Sequence, residues 1–231
     1  MQEGITLLVD KPLTWTSFDV VNKLRYALRR RTDRSKIKVG HGGTLDPLAT
    51  GLLIIGVGRH TKKLETFLGL PKTYSGTFTL GYTTPSYDLE TELVGPFPYH
   101  HIDSSLLQRT AQRFMGEQEQ FPPPFSAVKS QGKRAYNRAR SGENFDLPSR
   151  PISIEKLDVH LDPTDPSLVH FKVTCSKGTY VRSLAHDFGK ALGSRAHLSG
   201  LRREAIGPYE LTDSYSLEQL LQMIQKPTSE T

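Results

Sequence analysis

Residues 40–51 form the stretch that most constrains what this chain can fold into. They read Gly-His-Gly-Gly-Thr-Leu-Asp-Pro-Leu-Ala-Thr-Gly and lead directly into the apolar residues 52–55. Glycines permit positive φ and close approach of other groups, while Pro47 restricts Asp46 to an extended conformation. The pattern predicts a stiff turn that holds the Asp46 carboxylate at the entrance to a buried strand. An isolated Asp-Pro would more often only accept backbone hydrogen bonds.

The composition is that of an ordinary globular protein, and the distribution of charge indicates a phosphate-rich partner. The chain has 231 residues, 36% of them hydrophobic, which is enough to bury one sizeable core or two small ones. Lys and Arg number 30 against 24 Asp and Glu, and basic residues cluster in segments 23–38, 129–140 and 195–203. A charge run is usually a solvated face, but three clusters favour phosphate, because each contact with a phosphate releases a counterion.

Several classes of protein are disfavoured by the sequence. The single cysteine, Cys175, excludes an intramolecular disulfide framework and a Cys-rich zinc site. The segment after the first long strand lacks the third glycine of a dinucleotide-binding motif. No apolar run approaches the ~20 residues that span a bilayer, and the N-terminus lacks the features of a signal peptide. We expect a cytoplasmic protein with no metal, cofactor or membrane partner.

The hydrophobic periodicity favours an α+β fold. A short strand at 5–9 precedes a helix that Thr16 or Ser17 can cap, with its basic residues largely on the solvent side. Alternation predicts strands at 72–81, 150–161 and 168–175, and the last two form an antiparallel pair with a bulge near 155–156. Helical spacing recurs at 104–115, after residue 176 and at 216–225.

The Gly-rich loop resembles the catalytic loop of the TruB-type tRNA pseudouridine-55 synthases, in which the aspartate of this motif is the essential catalytic residue. Five other segments resemble the same family: Lys11-Pro12 with Ser17, Lys72-Thr73-Tyr74, the Pro-rich and basic block 120–140, Lys177-Gly178-Thr179-Tyr180-Val181-Arg182, and Leu201-Arg202-Arg203. Phe125 departs from the pattern, since the family usually has tyrosine there. Glu204 replaces the usual small or hydroxyl residue.

The resemblance covers roughly residues 4–209 and implies the pseudouridine synthase fold. That fold is a mixed, mainly antiparallel sheet flanked by helices, with an RNA-binding cleft. We expect a single catalytic domain, 1–231, without the C-terminal PUA-type module that many bacterial members carry.

The resemblance also implies roles for three catalytic residues. Asp46 would attack the base or the ribose, or withdraw the 2′ proton. Arg182 would pair with Asp46 and keep it ionised, because a nearby positive charge lowers a carboxyl pKa. Tyr74 would stack on the flipped uracil and help to remove the C5 proton. From periodicity alone, Tyr74 is better read as a core tyrosine and Arg182 as a surface arginine.

Two further groups of residues follow from the same resemblance and from the charge clusters. The expected substrate-binding residues are His41, Asp88, Tyr180, Leu201 and Lys11. The His41 ring would occupy the position in the RNA base stack that the flipped target base leaves empty. A plain loop histidine and a turn aspartate are the competing readings of His41 and Asp88. The expected phosphate-binding residues are Arg29, Arg30, Lys129, Lys133 and Arg202.

The implied function is the isomerisation of uridine to pseudouridine at position 55 in the T-loop of tRNA, after the base has been flipped out of its stack. The expected partner is the T-arm stem-loop, bound by a monomer, and no cofactor is consumed. One alternative is an RNA-binding or RNA-folding chaperone that acts without catalysis. A uracil methyltransferase is disfavoured, because it needs a methyl-donor site and an exposed thiol.

Overall fold

The computed structural model describes residues 4–32, 36–126, 128–130, 133–141, 143 and 145–226. It divides into two compact units. Unit 1 comprises Met1–Thr73 and Arg202–Thr231, and unit 2 comprises Tyr74–Leu201. Both contain strands and helices, which confirms the predicted α+β class.

In chain order the first elements are β1 (Gly4–Lys11), α1 (Ser17–Thr32), β2 (Val39–His41), β3 (Ala49–Gly58), α2 (Leu64–Gly69) and β4 (Lys72–Leu80). They are followed by α3 (Ser104–Arg113), β5 (Gly116–Gln120), β6 (Lys129–Ser130), β7 (Lys133–Arg134) and α4 (Ala135–Arg140). The last elements are β8 (Arg150–Leu161), β9 (Leu168–Cys175), α5 (Val181–Ala191), β10 (Ala196–Ile206), β11 (Tyr209–Glu210), β12 (Tyr215–Ser216) and α6 (Leu217–Gln225).

Helix α1 begins where the sequence places a cap. The Thr16 hydroxyl accepts a hydrogen bond from the Asp19 backbone N–H (3.0 Å), and the Asp19 carboxylate accepts one from the Thr16 N–H (2.9 Å). Of the two candidate caps, Thr16 is therefore the residue used, and Ser17 is buried in the first turn. The buried face of the helix consists of Ser17, Val20, Val21, Leu24 and Leu28.

The sheet of unit 1 is built around β3. Strand β1 runs antiparallel to β3 from Gly4 opposite Gly58 to Lys11 opposite Gly51, and it pairs with β12 in parallel on its other side. Strands β2 and β10 also pair with β3.

The apolar run of β3 is continuous because both faces of the strand are buried. Leu53 and Ile55 pack with residues of α1 and α6, whereas Leu52 and Ile54 pack with Phe67 and with neighbours from α2 and β10. A strand covered on both faces has no solvent side to alternate toward. The strand begins at Ala49, earlier than the predicted start at residue 52, so the irregular part of the loop is confined to residues 42–48.

In unit 2 the strand order is β10 (first half), β4, β9, β8 and β5. Strands β8 and β9 pair antiparallel with a register shift between Ile154 and Lys156, which confirms the predicted bulge. Phe78 and Phe171 stack with ring centroids 4.1 Å apart in the core between this sheet and helices α3 and α5. Cys175 is buried in the same core, as its parity in the strand predicts.

Candidate active site

In unit 1, the loop between β2 and β3 presents Asp46 at the first position of a tight turn. The Ala49 N–H donates to the Asp46 carbonyl (3.1 Å), and Pro47 occupies the second position, where its fixed φ suits a turn. Gly43 has φ +127° and Gly51 has φ +102°. A side chain at Gly51 would place Cβ 2.4 Å from a backbone oxygen of β10, so only glycine fits there.

Arg203 holds this loop from the inside. The side chain is 1% exposed, and its Nε donates to the Leu52 carbonyl at 2.7 Å. Its Nη2 reaches the Gly43 carbonyl at 3.2 Å and its Nη1 the Thr44 carbonyl at 3.4 Å. One guanidinium therefore ties the start of the loop to the strand that follows it. Arg203 belongs to the basic segment 195–203, which was predicted to contact phosphate, and its role in holding the loop was missed.

Lys11 is a second buried cation at the loop. Its Nζ donates to the carbonyls of Pro12 (2.9 Å) and Trp15 (2.6 Å) and lies 3.5 Å from that of Pro47. Burial lowers the pKa of Lys11 to about 8, and the negative charge of Asp46 opposes that shift. The predicted substrate-binding residue Lys11 thus lies within electrostatic reach of the carboxylate.

The residues on either side of Asp46 are both pinned by neighbours. The Ser17 hydroxyl donates to the Leu45 carbonyl (3.1 Å) and accepts from the Leu45 N–H (2.8 Å). The Pro47 carbonyl accepts from the Thr14 N–H at 2.9 Å. The position of Asp46 is therefore fixed on both sides by groups distant in sequence.

His41 ends β2 opposite Ile55 of β3 and is half-buried. Burial, together with the positive charge of Arg203, lowers the pKa of His41, and a hydrogen bond with the Gly43 backbone opposes the shift. The imidazole is accordingly neutral at pH 7. A neutral ring is suited to stacking against a nucleobase.

In unit 2, Arg182 is buried in the first turn of α5, with 6% of its surface exposed. Its Nη1 donates to the Phe125 carbonyl at 2.9 Å and lies 3.4 Å from the Ser86 carbonyl, while Nε lies 3.6 Å from Asp88 Oδ2. The helical pattern alone predicted a surface arginine, and that prediction was wrong. The reason is tertiary, because the loop at 84–88 and the Pro-rich segment cover this side of the helix.

Asp88 sits in a loop that is held by its own hydroxyls. The side chains of Thr84 and Ser86 donate to the Asp88 carbonyl at 2.6 Å and 3.2 Å. The carboxylate accepts from the Glu90 N–H at 3.0 Å and turns its other oxygen toward Arg182. The structure therefore brings two of the predicted site residues, Asp88 and Arg182, together.

The other predicted residues of unit 2 line the edge of its core. Tyr74 and Leu201 are half-buried and pack against the core cluster, so each keeps some surface accessible. Tyr180 precedes α5, and its backbone exchanges two hydrogen bonds with the Gln120 amide, at 2.8 Å and 3.1 Å. The guanidinium carbon of Arg150 lies 4.9 Å from the centre of the Tyr180 ring.

The predicted phosphate-binding residues differ in their surroundings. Arg29 and Arg30 are exposed in the last turn of α1. Arg202 forms an ion pair of 2.8 Å with Asp10, which was not predicted from the sequence. Lys129 lies in β6 and Lys133 in β7, and these two short strands pair antiparallel with Lys129 opposite Arg134 and Ser130 opposite Lys133.

Within the described ranges, no group of three or more His, Cys, Asp and Glu side chains is arranged to hold a metal ion. None of the helices in this part of the chain is long and apolar enough to cross a membrane.

Comparison with known families identifies the arrangement. Residues 29–181 match the N-terminal domain of the TruB family pseudouridylate synthases, and residues 182–231 match the tRNA pseudouridylate synthase B C-terminal domain. The chain belongs to the TruB family. It is therefore an isomerase that makes pseudouridine, and the family resemblance inferred from the loop at 40–51 is confirmed.

Curated relatives of this TruB-family chain cover nearly its whole length. It is 50% identical over 218 residues to the tRNA pseudouridine synthase B of Flavobacterium johnsoniae, with 93% of each chain covered. It is also 50% identical over 217 residues to the protein of the same name from Phocaeicola vulgatus, covering 94% of this chain and 92% of the relative.

Solved structures confirm the fold. A Cbf5-Nop10-Gar1 complex matches with a TM-score of 0.71 and 28% identity over 96% of this chain. An H/ACA RNP bound to a substrate RNA containing 2′-deoxyuridine matches with a TM-score of 0.68 and 25% identity. The chain spans 54% of the first of these chains and 53% of the second, so it is about half their length.

Proposed function

We propose that this TruB-family chain converts uridine to pseudouridine at position 55, in the T-loop of tRNA. The observation that carries the proposal is the loop of Asp46, whose flanking residues Leu45 and Pro47 are fixed by buried side chains from outside the loop. A carboxylate held so firmly is preorganised for attack on one bound base. The relatives named tRNA pseudouridine synthase B support tRNA as the substrate.

The reaction breaks the N1–C1′ bond of uridine, turns the base and joins C5 to C1′. The proton leaves C5 and another is bound at N1, so that atoms balance without an oxidant or reductant. The target base must first leave its stack, which costs a few kcal/mol. Asp46 acts after the base enters the site, as the nucleophile toward base or ribose or as the base for the 2′ proton.

Three other residues complete the proposed chemistry. The guanidinium of Arg182 keeps Asp46 ionised, because a positive charge stabilises the carboxylate. Tyr74 stacks on the uracil and assists removal of the C5 proton. The neutral imidazole of His41 occupies the place that the base leaves in the RNA.

RNA is held by phosphate contacts that carry no sequence information. Arg29, Arg30 and Arg202 supply these contacts, together with Lys129 and Lys133. The T-arm stem-loop is the part of tRNA that is bound, and the protein acts as a cytoplasmic monomer. Asp88 contributes through Arg182, and Lys11, Tyr180 and Leu201 shape the binding site.

The decisive experiment measures tritium release from a tRNA transcript labelled with [5-³H]uridine, with the wild-type protein and its Asp46→Asn variant at the same salt concentration. We expect release by the wild type and a loss of at least about 1,000-fold in the variant, because a carboxamide is neither a nucleophile nor a base under these conditions. A transcript in which U55 is replaced by C serves as the position control and should release nothing above background.

The rival chaperone function predicts a different outcome. If neither protein releases tritium while both bind the transcript tightly, then the chain binds RNA without modifying it. Release from the wild type that persists with the U55→C transcript would retain the chemistry and reject position 55.

A further inference from the structure

The exposed side of α1 carries a row of side chains of which only Arg30, as a phosphate contact, has a part in the proposed function. Phe18, Asn22, Tyr26 and Arg30 follow one another at four-residue spacing and therefore share one side of the helix. Phe18 is 59% exposed and Tyr26 62% exposed, so two aromatic residues are accessible on the same side of the helix. The Arg30 guanidinium lies 5.8 Å from the centre of the Tyr26 ring. We call these four residues the α1 stripe.

A groove lies beside the α1 stripe in unit 1. It has a volume of about 480 Å³, which falls in the range of small-molecule sites. Its lining consists of Thr14, Trp15, Asp19, Asn22, Lys23 and Tyr26. Two aromatic rings thus border the groove, and one of them, Trp15, is the single tryptophan of the chain.

The loop that forms one wall of the groove is firmly held. Thr14 adopts φ +69°, a conformation that few residues other than glycine favour, and its N–H donates to the Pro47 carbonyl at 2.9 Å. Trp15 packs against the core of unit 1, and its carbonyl accepts from the buried Lys11 ammonium. The groove is therefore preformed.

The charge around the groove indicates the chemical class of its ligand. Helix α1 carries five basic residues against one acid, Asp19, whose carboxylate already accepts hydrogen bonds from Thr16. Arg25 donates to the Val39 carbonyl, but Lys23 and Arg30 are exposed. Lysine is depleted in protein interfaces, whereas aromatic rings beside exposed cations are the usual features of single-stranded nucleic acid sites.

We propose that the groove and the α1 stripe bind an unpaired stretch of RNA. A base stacks on Trp15 and Tyr26, and the neighbouring phosphates contact Lys23 and Arg30. The inference rests on the proposed function only for the identity of the RNA as tRNA. None of these residues has a catalytic role in the proposed function, and only Arg30 has a phosphate contact there.

The test uses Trp15 as the reporter. Hexaadenylate is titrated into the whole protein, and quenching of tryptophan fluorescence is followed. A hexamer of abasic ribose phosphates, which has the same charge, is then used to displace it. We expect saturable quenching by hexaadenylate, and displacement by the abasic hexamer at concentrations at least about tenfold higher, because stacking is lost.

Variants separate stacking from charge. We expect Tyr26→Ala to weaken hexaadenylate binding about tenfold with an unchanged salt slope, and Tyr26→Phe to bind like the wild type. Lys23→Gln should reduce the slope of log K against log salt by about one. Tyr215→Ala removes another exposed aromatic of unit 1, which is 45% exposed, and is the matched control.

The inference is overturned if the abasic hexamer binds as tightly as hexaadenylate, or if Tyr26→Ala is no weaker than Tyr215→Ala. Absence of any quenching or binding would overturn it as well and would favour a protein partner for the stripe. Tritium release is measured separately on the same preparations. Quenching without release would reject the proposed function and retain the stripe, and release without quenching would do the reverse.

Discussion

The two units bury cations in different ways. In unit 1, Lys11 and Arg203 donate to main-chain carbonyls, and so does Lys72, whose Nζ reaches the carbonyls of Phe67, Leu68 and Leu70 at the end of α2. In unit 2, Arg182 combines carbonyl contacts with the carboxylate of Asp88. Burying a charge is costly unless hydrogen bonds or a counter-charge compensate.

The difference shows what each buried charge does. A cation bound by carbonyls fixes the path of the backbone, and its positive charge still acts on nearby carboxylates. For Lys11, the carboxylate with the largest effect on its pKa is that of Asp46. A cation bound by a carboxylate is oriented by it and partly neutralised. In unit 1, buried cations therefore fix the backbone of the loop that contains Asp46. In unit 2, the carboxylate of Asp88 orients the Arg182 guanidinium.

The largest effect is expected at Arg182. We expect Arg182→Ala to lower the single-turnover rate of pseudouridine formation at least about 1,000-fold while RNA affinity stays within about tenfold, because the proposed partner of the guanidinium is the Asp46 carboxylate and not a phosphate. Filter binding and tritium release measure the two quantities. Arg182→Lys is the charge-retaining control and should recover only part of the rate, since one ammonium cannot reproduce the fork. A comparable loss of RNA binding would contradict this role.

Arg203 and its neighbour Arg202 form a matched pair. We expect Arg203→Met to lower the single-turnover rate about 100-fold, through misplacement of the loop, and to lower the free energy of unfolding by about 3 kcal/mol, because buried carbonyls lose their donors. Arg202→Met removes a partly exposed ion pair with Asp10 and should cost less than about 1 kcal/mol. Urea unfolding of both variants makes the comparison. Equal destabilisation would mean that Arg203 has no special hold on the loop.

Burial of Lys11 makes the stability of the protein depend on pH. Its pKa is about 8 in the folded protein against 10.5 as the ordinary value, so between these pH values the unfolded chain binds more protons than the folded one. Stability should therefore rise with pH across this window, by up to about 3 kcal/mol from this group.

The Lys11→Met variant isolates that contribution. Urea unfolding at pH 7 and pH 10 gives the gain for each protein, and the wild type should gain more than the variant. Other groups titrate equally in both proteins and cancel in the difference. Identical gains would show that the ammonium of Lys11 is not destabilised by burial.

The smallest effect is expected at Phe125, which replaces the usual tyrosine of the family. Its contact with Arg182 is made by the backbone carbonyl, and its ring lies 6.0 Å from that of Tyr136. We expect Phe125→Tyr to change the rate of pseudouridine formation by less than about threefold, because the backbone contact is retained. A larger gain in tritium release would mean that a hydroxyl at this position takes part in the site.

The sequence was sufficient wherever local pattern controls structure. Hydrogen-bonding groups limit the cap of α1 to Thr16 or Ser17, of which the structure uses Thr16. The bulge after Ile154 and the burial of Cys175 follow from a period of two along a strand. The loop at 40–51 was also recognisable, because a carboxylate among glycines before a buried strand is rare. These features depend on neighbours within a few residues.

The tertiary structure alone decided which cations are buried. Arg202 and Arg203 are adjacent residues of the same type on one strand, so alternation places them on opposite faces but does not tell which one faces inward. The inward position of Arg203 depends on carbonyls at Gly43 and Leu52, which lie some 150 residues earlier in the chain. Arg182 is buried for the same kind of reason, since its acceptors come from segments that only the folded chain brings to α5. A buried cation is stable only where hydrogen-bond acceptors compensate its lost hydration, and here those acceptors come from distant parts of the sequence. The local sequence pattern around the cation does not predict them.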